Sequence, residues 1–194
     1  MKTSRLEAFS DGVLAIIITI MVLELKVPHA TELAALKPML PHLLSYVLSF
    51  IYLGIYWNNH HHLFQAAKEV SGGILWANLH LLFWLSLFPF TTDWMGENHL
   101  APIPTAIYGF VLLMAAIAYY ILQRTIITKE GRESILAQAV GTDWKGKLSP
   151  VLYLAAIPLA FVSAWIAGGL YVFVALLWLI PDPRIEREIE KREE

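Results

Sequence analysis

Residues 5–28 read RLEAFSDGVLAIIITIMVLELKVP: a charged and polar opening, an uncharged run from Gly12 to Leu23, and a charged close at Glu24 and Lys26. A bilayer's hydrocarbon is roughly 30 Å thick and takes about 20 residues of helix to cross. The uncharged run is too short for that, but Arg5 to Lys26 as one helix is long enough. Arg5 and Asp11 must then stay among headgroups or be buried against partners, because ionisable groups in hydrocarbon are costly. The simple reading has Ser10 or Asp11 capping the helix; the other has a buried polar network that orients it. Within the run, Ile16, Thr19, Ile20 and Leu23 recur at i, i+3, i+4 and i+7 and share one face. Such a stripe is ordinarily a packing surface, and a helical threonine can bond back to its own carbonyls. Val13 and Val22 are expected toward lipid.

The rest of the chain repeats the pattern. Apolar runs predict six spans, at 5–26, 41–64, 74–94, 104–124, 148–167 and 170–180. Pro89 is expected to kink the third and Pro158 the fifth, which membrane helices tolerate. Gly168-Gly169 is expected to turn the chain between the last two spans. Thr125 to Lys147 is the long, charged connection, and residues 184–194 form a charged tail. The fold class is therefore all-α, a polytopic membrane protein whose residues 1–194 make one six-helix domain. Composition agrees: 57% of the 194 residues are hydrophobic and 15% charged, against roughly 25% charged in a soluble domain. A net charge of -2 argues against nucleic acid, and the absence of Cys excludes disulfides and thiolate metal sites. No cleaved signal peptide is expected, since Glu7 and Asp11 interrupt the segment and no small-residue site closes the run.

With six spans, twelve Lys and Arg fall on one side and only Lys26 and Lys37 on the other. The positive-inside rule then places both termini in the cytoplasm. On that same side lie the end of the second span, Trp57-Asn58-Asn59-His60-His61-His62, and the start of the third, with Trp76, Asn78 and His80. These are partners within reach of the first helix. Three consecutive histidines point about 100° apart on a helix and cannot all face one metal, so a metal enzyme is disfavoured.

Arg5-x-x-x-Phe9-Ser10-Asp11, followed by an Ile/Leu-rich span and Leu23-Glu-Leu-Lys-Val-Pro28, resembles the signature of the transmembrane protein 175 family, potassium channels of bacteria, archaea and animal endolysosomes. Trp57-x-x-His60-His61 with Leu63-Phe64 is similar to the end of the family's second helix. Trp76-x-Asn78 and Pro89-Phe90 are similar to its third. The likeness covers residues 1 to about 95; beyond that only hydropathy and the completion of six spans agree.

The resemblance implies a potassium-selective cation channel in the cell membrane, not an enzyme, with no cofactor, no resident metal and K+ as the permeant ion. It implies a homotetramer in the lipid bilayer whose first helices line a central pore for monovalent cations. Ile16, Ile20 and Leu23 match the constriction and gate, and Thr19 the threonine of selectivity. Arg5, Phe9, Ser10 and Asp11 match a network whose partners would be Trp57, His60, His61, Asn78 and His80. Consistently, the sequence lacks the Thr-Val-Gly-Tyr-Gly loop of ordinary potassium filters. The alternative is a proton-permeable channel of the same architecture, with His60, His61 or His80 titrating near neutral pH. A secondary transporter is a further reading. Transporters typically show inverted repeats, and the signature has no second copy here.

Overall fold

The computed structural model describes residues 3–67, 69–131, 134, 136–137 and 144–179. The tail at 184–194 and the end of the sixth span at 180 lie outside the described residues. Seven described α-helices carry the chain: α1 (Thr3–Leu23), α2 (Leu40–Gln65), α3 (Gly72–Ser86), α4 (Phe88–Glu97), α5 (Pro102–Glu130), α6 (Trp144–Leu159) and α7 (Ala164–Leu179). A 3-10 helix, Leu33–Met39, leads into α2. No strand occurs among the described residues.

Four segments are long and apolar enough to cross a bilayer: α1, the 3-10 helix with α2, α3 with α4, and α5. The chain is an integral membrane protein, and α6 and α7, of 16 residues each, complete six helical segments. The third crossing breaks at Leu87. Pro89 has no N–H to give the preceding turn, so it sits in the first turn of α4, where that donor would be unpaired anyway. Ser71 caps α3 by accepting a 3.4 Å bond from the Ile74 amide.

The second half departs from expectation in two places. The turn between the last helices falls at 160–163, just past Pro158, and Gly168-Gly169 lies inside α7. Glycine is common within membrane helices, and here a side chain at either position would meet open space. The fifth helix therefore begins and ends earlier than 148–167, and the sixth begins earlier than 170. α5 also runs on to Glu130, six residues past the predicted end at Arg124. Its last turns carry Arg124, Thr128 and Lys129 as exposed side chains, long enough to reach water from a helix end.

α5 is the central post, packed against α3, α4, α6 and α7, while α1 leans on α2, α3 and α4 at the margin. Half of the α5 apolar window is buried, against 28% for α1. Between α2, α4, α5, α6 and α7 the core is aromatic and hydrogen-bonded. Tyr52 meets Phe88 and Tyr153 edge-on, and the Tyr108 and Tyr171 rings lie 5.6 Å apart. The Tyr52, Tyr108 and Tyr171 hydroxyls find partners here, while the buried Thr105 Oγ1 has none among the described residues. Tyr52 donates to the Tyr171 carbonyl at 2.6 Å and Tyr171 to the Thr105 carbonyl at 3.1 Å. Ser49 bonds both Thr92 (2.7 Å) and Tyr108 (2.9 Å). Gly109 makes room for this arrangement: a Cβ there would lie 2.0 Å from the Tyr171 hydroxyl. At the opposite end from the chain start, Lys26 forms an ion pair with Glu97 that ties the end of α1 to α4. That hydrogen bond raises the exposed lysine's pKa above its ordinary value.

Candidate functional site

α1 presents two faces of opposite character. Leu6, Ser10, Leu14, Ile17 and Met21 are buried against α2, α3 and α4. They follow at intervals of four, four, three and four, as one helix face must. On the other face Ile16, Ile20 and Leu23 are 61%, 42% and 75% exposed, with Thr19 exposed between them. At 100° per residue this face continues toward the chain start through Gly12, Phe9 and Arg5. Gly12 and Arg5 are exposed, and Phe9 is 52% exposed. The whole stripe, from a guanidinium at one end to Leu23 at the other, is left uncovered by the chain itself. Val22 lies beside it, exposed, whereas Val13 packs partly against the core and so does not face lipid as expected. Thr19 Oγ1 donates to the Ala15 carbonyl at 2.8 Å, which points its hydrogen into the helix and leaves the oxygen's lone pairs free to accept.

The buried face is fixed by a polar junction of three helices. Ser10, His60 and Asn78 are all buried. Ser10 Oγ donates to the Leu6 carbonyl at 2.9 Å, and Asn78 Nδ2 donates to Ser10 Oγ at 3.0 Å. That leaves Asn78 Oδ1 to accept from His60 Nε2 at 2.8 Å. One bonded line thus joins α1, α3 and α2, and the His60 ring lies 4.6 Å from Phe64. Every member has its bond, so burial carries no unpaired penalty.

A second, more exposed layer sits beside it. Trp57 Nε1 donates to Asp11 Oδ1 at 3.0 Å. His61 accepts from Gln65 on Nε2 at 2.9 Å and holds its Nδ1 3.4 Å from the Glu7 carboxylate. Trp57 and His61 stack with rings 15° from parallel. Glu7 is the member that the sequence reading left out; its partner lies 54 positions away, and only its place one turn before Asp11 could have suggested it.

Of the residues singled out in the sequence, Ser10, Asp11, Trp57, His60, His61 and Asn78 come together here. His80 does not join them. It accepts from Trp84 Nε1 at 3.0 Å, one turn along its own helix. Arg5 and Phe9 lie on the open stripe and not in the junction. Among the described residues no group of three His, Asp or Glu side chains is placed to hold a metal ion.

Residues 5–89, which contain the stripe and the junction, match the family described as endosomal/lysosomal potassium channel TMEM175. A potassium channel of Chryseobacterium sp. (strain P1-3) is 58% identical over 98% of this chain and 100% of its own length. The crystal structure of a lysosomal potassium-selective channel TMEM175 homolog from Chamaesiphon minutus superimposes with a TM-score of 0.81 at 29% identity, covering 93% of this chain and 97% of that one. The endosomal/lysosomal proton channel TMEM175 of Danio rerio is 27% identical over 67% of this chain, which spans 25% of that longer protein. The chain, with its uncovered first-helix stripe and its Ser10–Asn78–His60 junction, belongs to the TMEM175 potassium-channel family.

Proposed function

We propose that the chain is one subunit of a homotetrameric, potassium-selective channel of the cell membrane, with residues 1–194 as a single channel domain. The observation that carries this reading is the α1 stripe. A fourfold axis beside it would turn Ile16, Ile20 and Leu23 into three stacked rings, and closed cyclic assembly is the usual way for identical chains to cover such a face. The rings would form a narrow apolar neck. An ion passes a neck of that kind only by shedding part of its water, and the neck gates by drying. Potassium gives up water more readily than sodium, so preference follows from dehydration, aided by four Thr19 oxygens whose lone pairs are open. The junction of α1 with α2 and α3, flanked by Asp11–Trp57 and Glu7–His61, would hold the helix at a fixed distance from the axis. Both termini, with the junction, would lie in the cytoplasm, a reading supported by the Lys and Arg asymmetry. The permeant ion is K+, and no bound cofactor enters the mechanism.

Purified protein in liposomes under a potassium gradient tests this. The expected result is passive flux that needs no counter-substrate, is larger for potassium than sodium, and comes from a particle of four chains. A stable monomer in light scattering, or flux that requires exchange, overturns it.

A second reading, proton permeation through the same pore, is favoured by the name of the Danio rerio relative. Reversal potentials separate the two: they follow the potassium gradient under the first reading and the pH gradient under the second.

A further inference from the structure

We infer that the end of the channel away from the termini carries a proton-controlled latch: the His42–Asp93 pair joins α2 to α4, and through α4 holds the end of α1, only while His42 is charged. This rests on the reading of α1 as the pore helix. His42 opens α2 with 10% of its side chain exposed, and its Nε2 lies 2.9 Å from Asp93 Oδ1. That oxygen is buried and has no hydrogen bond among the described residues. The imidazole is near enough to bond it but out of line, so the contact is made by charge. An imidazolium attracts a carboxylate at such an angle. A neutral ring gives it little, and a buried oxygen without a partner is costly. The ring is also hemmed in by the α4 backbone: a Cβ on Gly96 would lie 2.6 Å from the His42 Cα.

A second pair carries the latch to the pore helix. Glu97, one turn after Asp93, holds Lys26, three residues past Leu23. Lysine keeps its charge throughout the range in which histidine titrates. So α1 stays tied to α4 while the tie of α4 to α2 comes and goes. The charged groups around His42 are Asp93 and Glu97 on α4, and Glu24 and Lys26 past the end of α1. His29, Glu32, Lys37 and His99 stand exposed on the neighbouring connections, and α7, which also packs on α2, brings no charge. Of these residue types histidine ordinarily changes charge near neutrality, and of these histidines His42 faces the buried oxygen. With the latch closed, α1 is held back on its own subunit at the level of Leu23. With it open, apolar rings across a wet neck draw together. The neck then narrows, and flux falls as the outer pH rises.

Potassium current through the full-length channel in a planar bilayer tests this, with the pH of each side varied in turn from about 5.5 to about 8, across the ordinary histidine range. Current is expected to fall at least about fivefold, the low end of coupling between sites, and only when the side away from the termini is titrated. The thermal unfolding midpoint in nanodiscs should fall over the same range. His42→Gln, neutral at every pH, should remove both steps and hold the current at its high-pH level. Lys26→Gln, at an exposed position, cuts the tie to α1 and should remove the current step while leaving the unfolding step. A parent current that ignores the outer pH overturns the latch, as does a current step that survives in either variant; Lys26→Gln decides the matter if His42→Gln fails to assemble. Absence of any potassium current counts instead against the channel reading, and the latch then stands or falls on whether the parent's unfolding midpoint drops between the two pH values.

Discussion

The tyrosine-lined interior around Tyr52, Tyr108 and Tyr171 and the outer stripe of α1 are both built from large side chains in a membrane protein, yet they answer to different partners. In the interior the Tyr52, Tyr108 and Tyr171 hydroxyls are bonded within the chain, and Gly109 has no room to spare. On the stripe Ile16, Ile20 and Leu23 remain 61%, 42% and 75% exposed. Lipid could cover an aliphatic stripe, but Arg5 and the lone pairs of Thr19 share it, and hydrocarbon satisfies neither. The interior is what the chain needs in order to fold. The stripe is what the folded chain leaves exposed.

The comparison breaks most sharply at Gly109. Gly109→Ala would drive a methyl group into the Tyr171 ring, which is buried and held by its bond to Thr105 and so cannot swing aside. The expected result is loss of the monodisperse species on size exclusion, from a cost of about 3 kcal/mol or more. Adding Tyr171→Phe, which removes the nearest atom, should restore part of it. Next comes the junction. Asn78→Leu leaves His60 and Ser10 without their shared partner, at about 1–3 kcal/mol for each stranded group. Thermal unfolding should begin several degrees lower, and fewer tetramers should survive in detergent.

On the stripe the two measurements should part company. Ile16→Asn, Ile20→Asn and Leu23→Asn are expected to move stability by no more than about 0.5 kcal/mol, as exposed substitutions do. Flux through liposomes should nevertheless rise and potassium preference fall, most for Ile16 and Leu23. If all three assemble and conduct like the parent, the stripe packs against protein or lipid and lines no pore. Thr19→Val should be subtler still: unchanged unfolding, unchanged assembly and a modest loss of potassium over sodium preference by reversal potential. Val22→Ala, exposed but off the stripe, should alter neither measurement.

How much of this was written plainly in the chain depends on the distance over which each feature acts. The α1 stripe was legible because helical spacing alone puts Ile16, Thr19, Ile20 and Leu23 on one face. The break near Pro89 was legible because a missing amide has a local effect. The turn at 160–163 was misplaced because Gly168-Gly169 is a turn signal in water but an ordinary pair inside a membrane helix. The end of α5 was misplaced because charged side chains were read as loop, although long ones at a helix end reach water without unwinding it. The junction was legible through its family motif, but Glu7 with His61, and the withdrawal of His80 to Trp84, depend on how helices rotate against one another. The tyrosine interior left no local trace, since its members come from helices far apart in the chain.

The direction of the bonds in the Ser10–Asn78–His60 line has a further consequence. A proton hops along hydrogen bonds only where each member can release one proton as it receives another. Serine and histidine can exchange in this way, but the amide of Asn78 holds its two hydrogens at any physiological pH and takes up none on its oxygen. Asn78 Nδ2 gives to Ser10 and Asn78 Oδ1 takes from His60, so the amide stands in the middle of the line as an insulator. A proton is therefore not relayed along the Ser10–Asn78–His60 line, whatever its members do at either end.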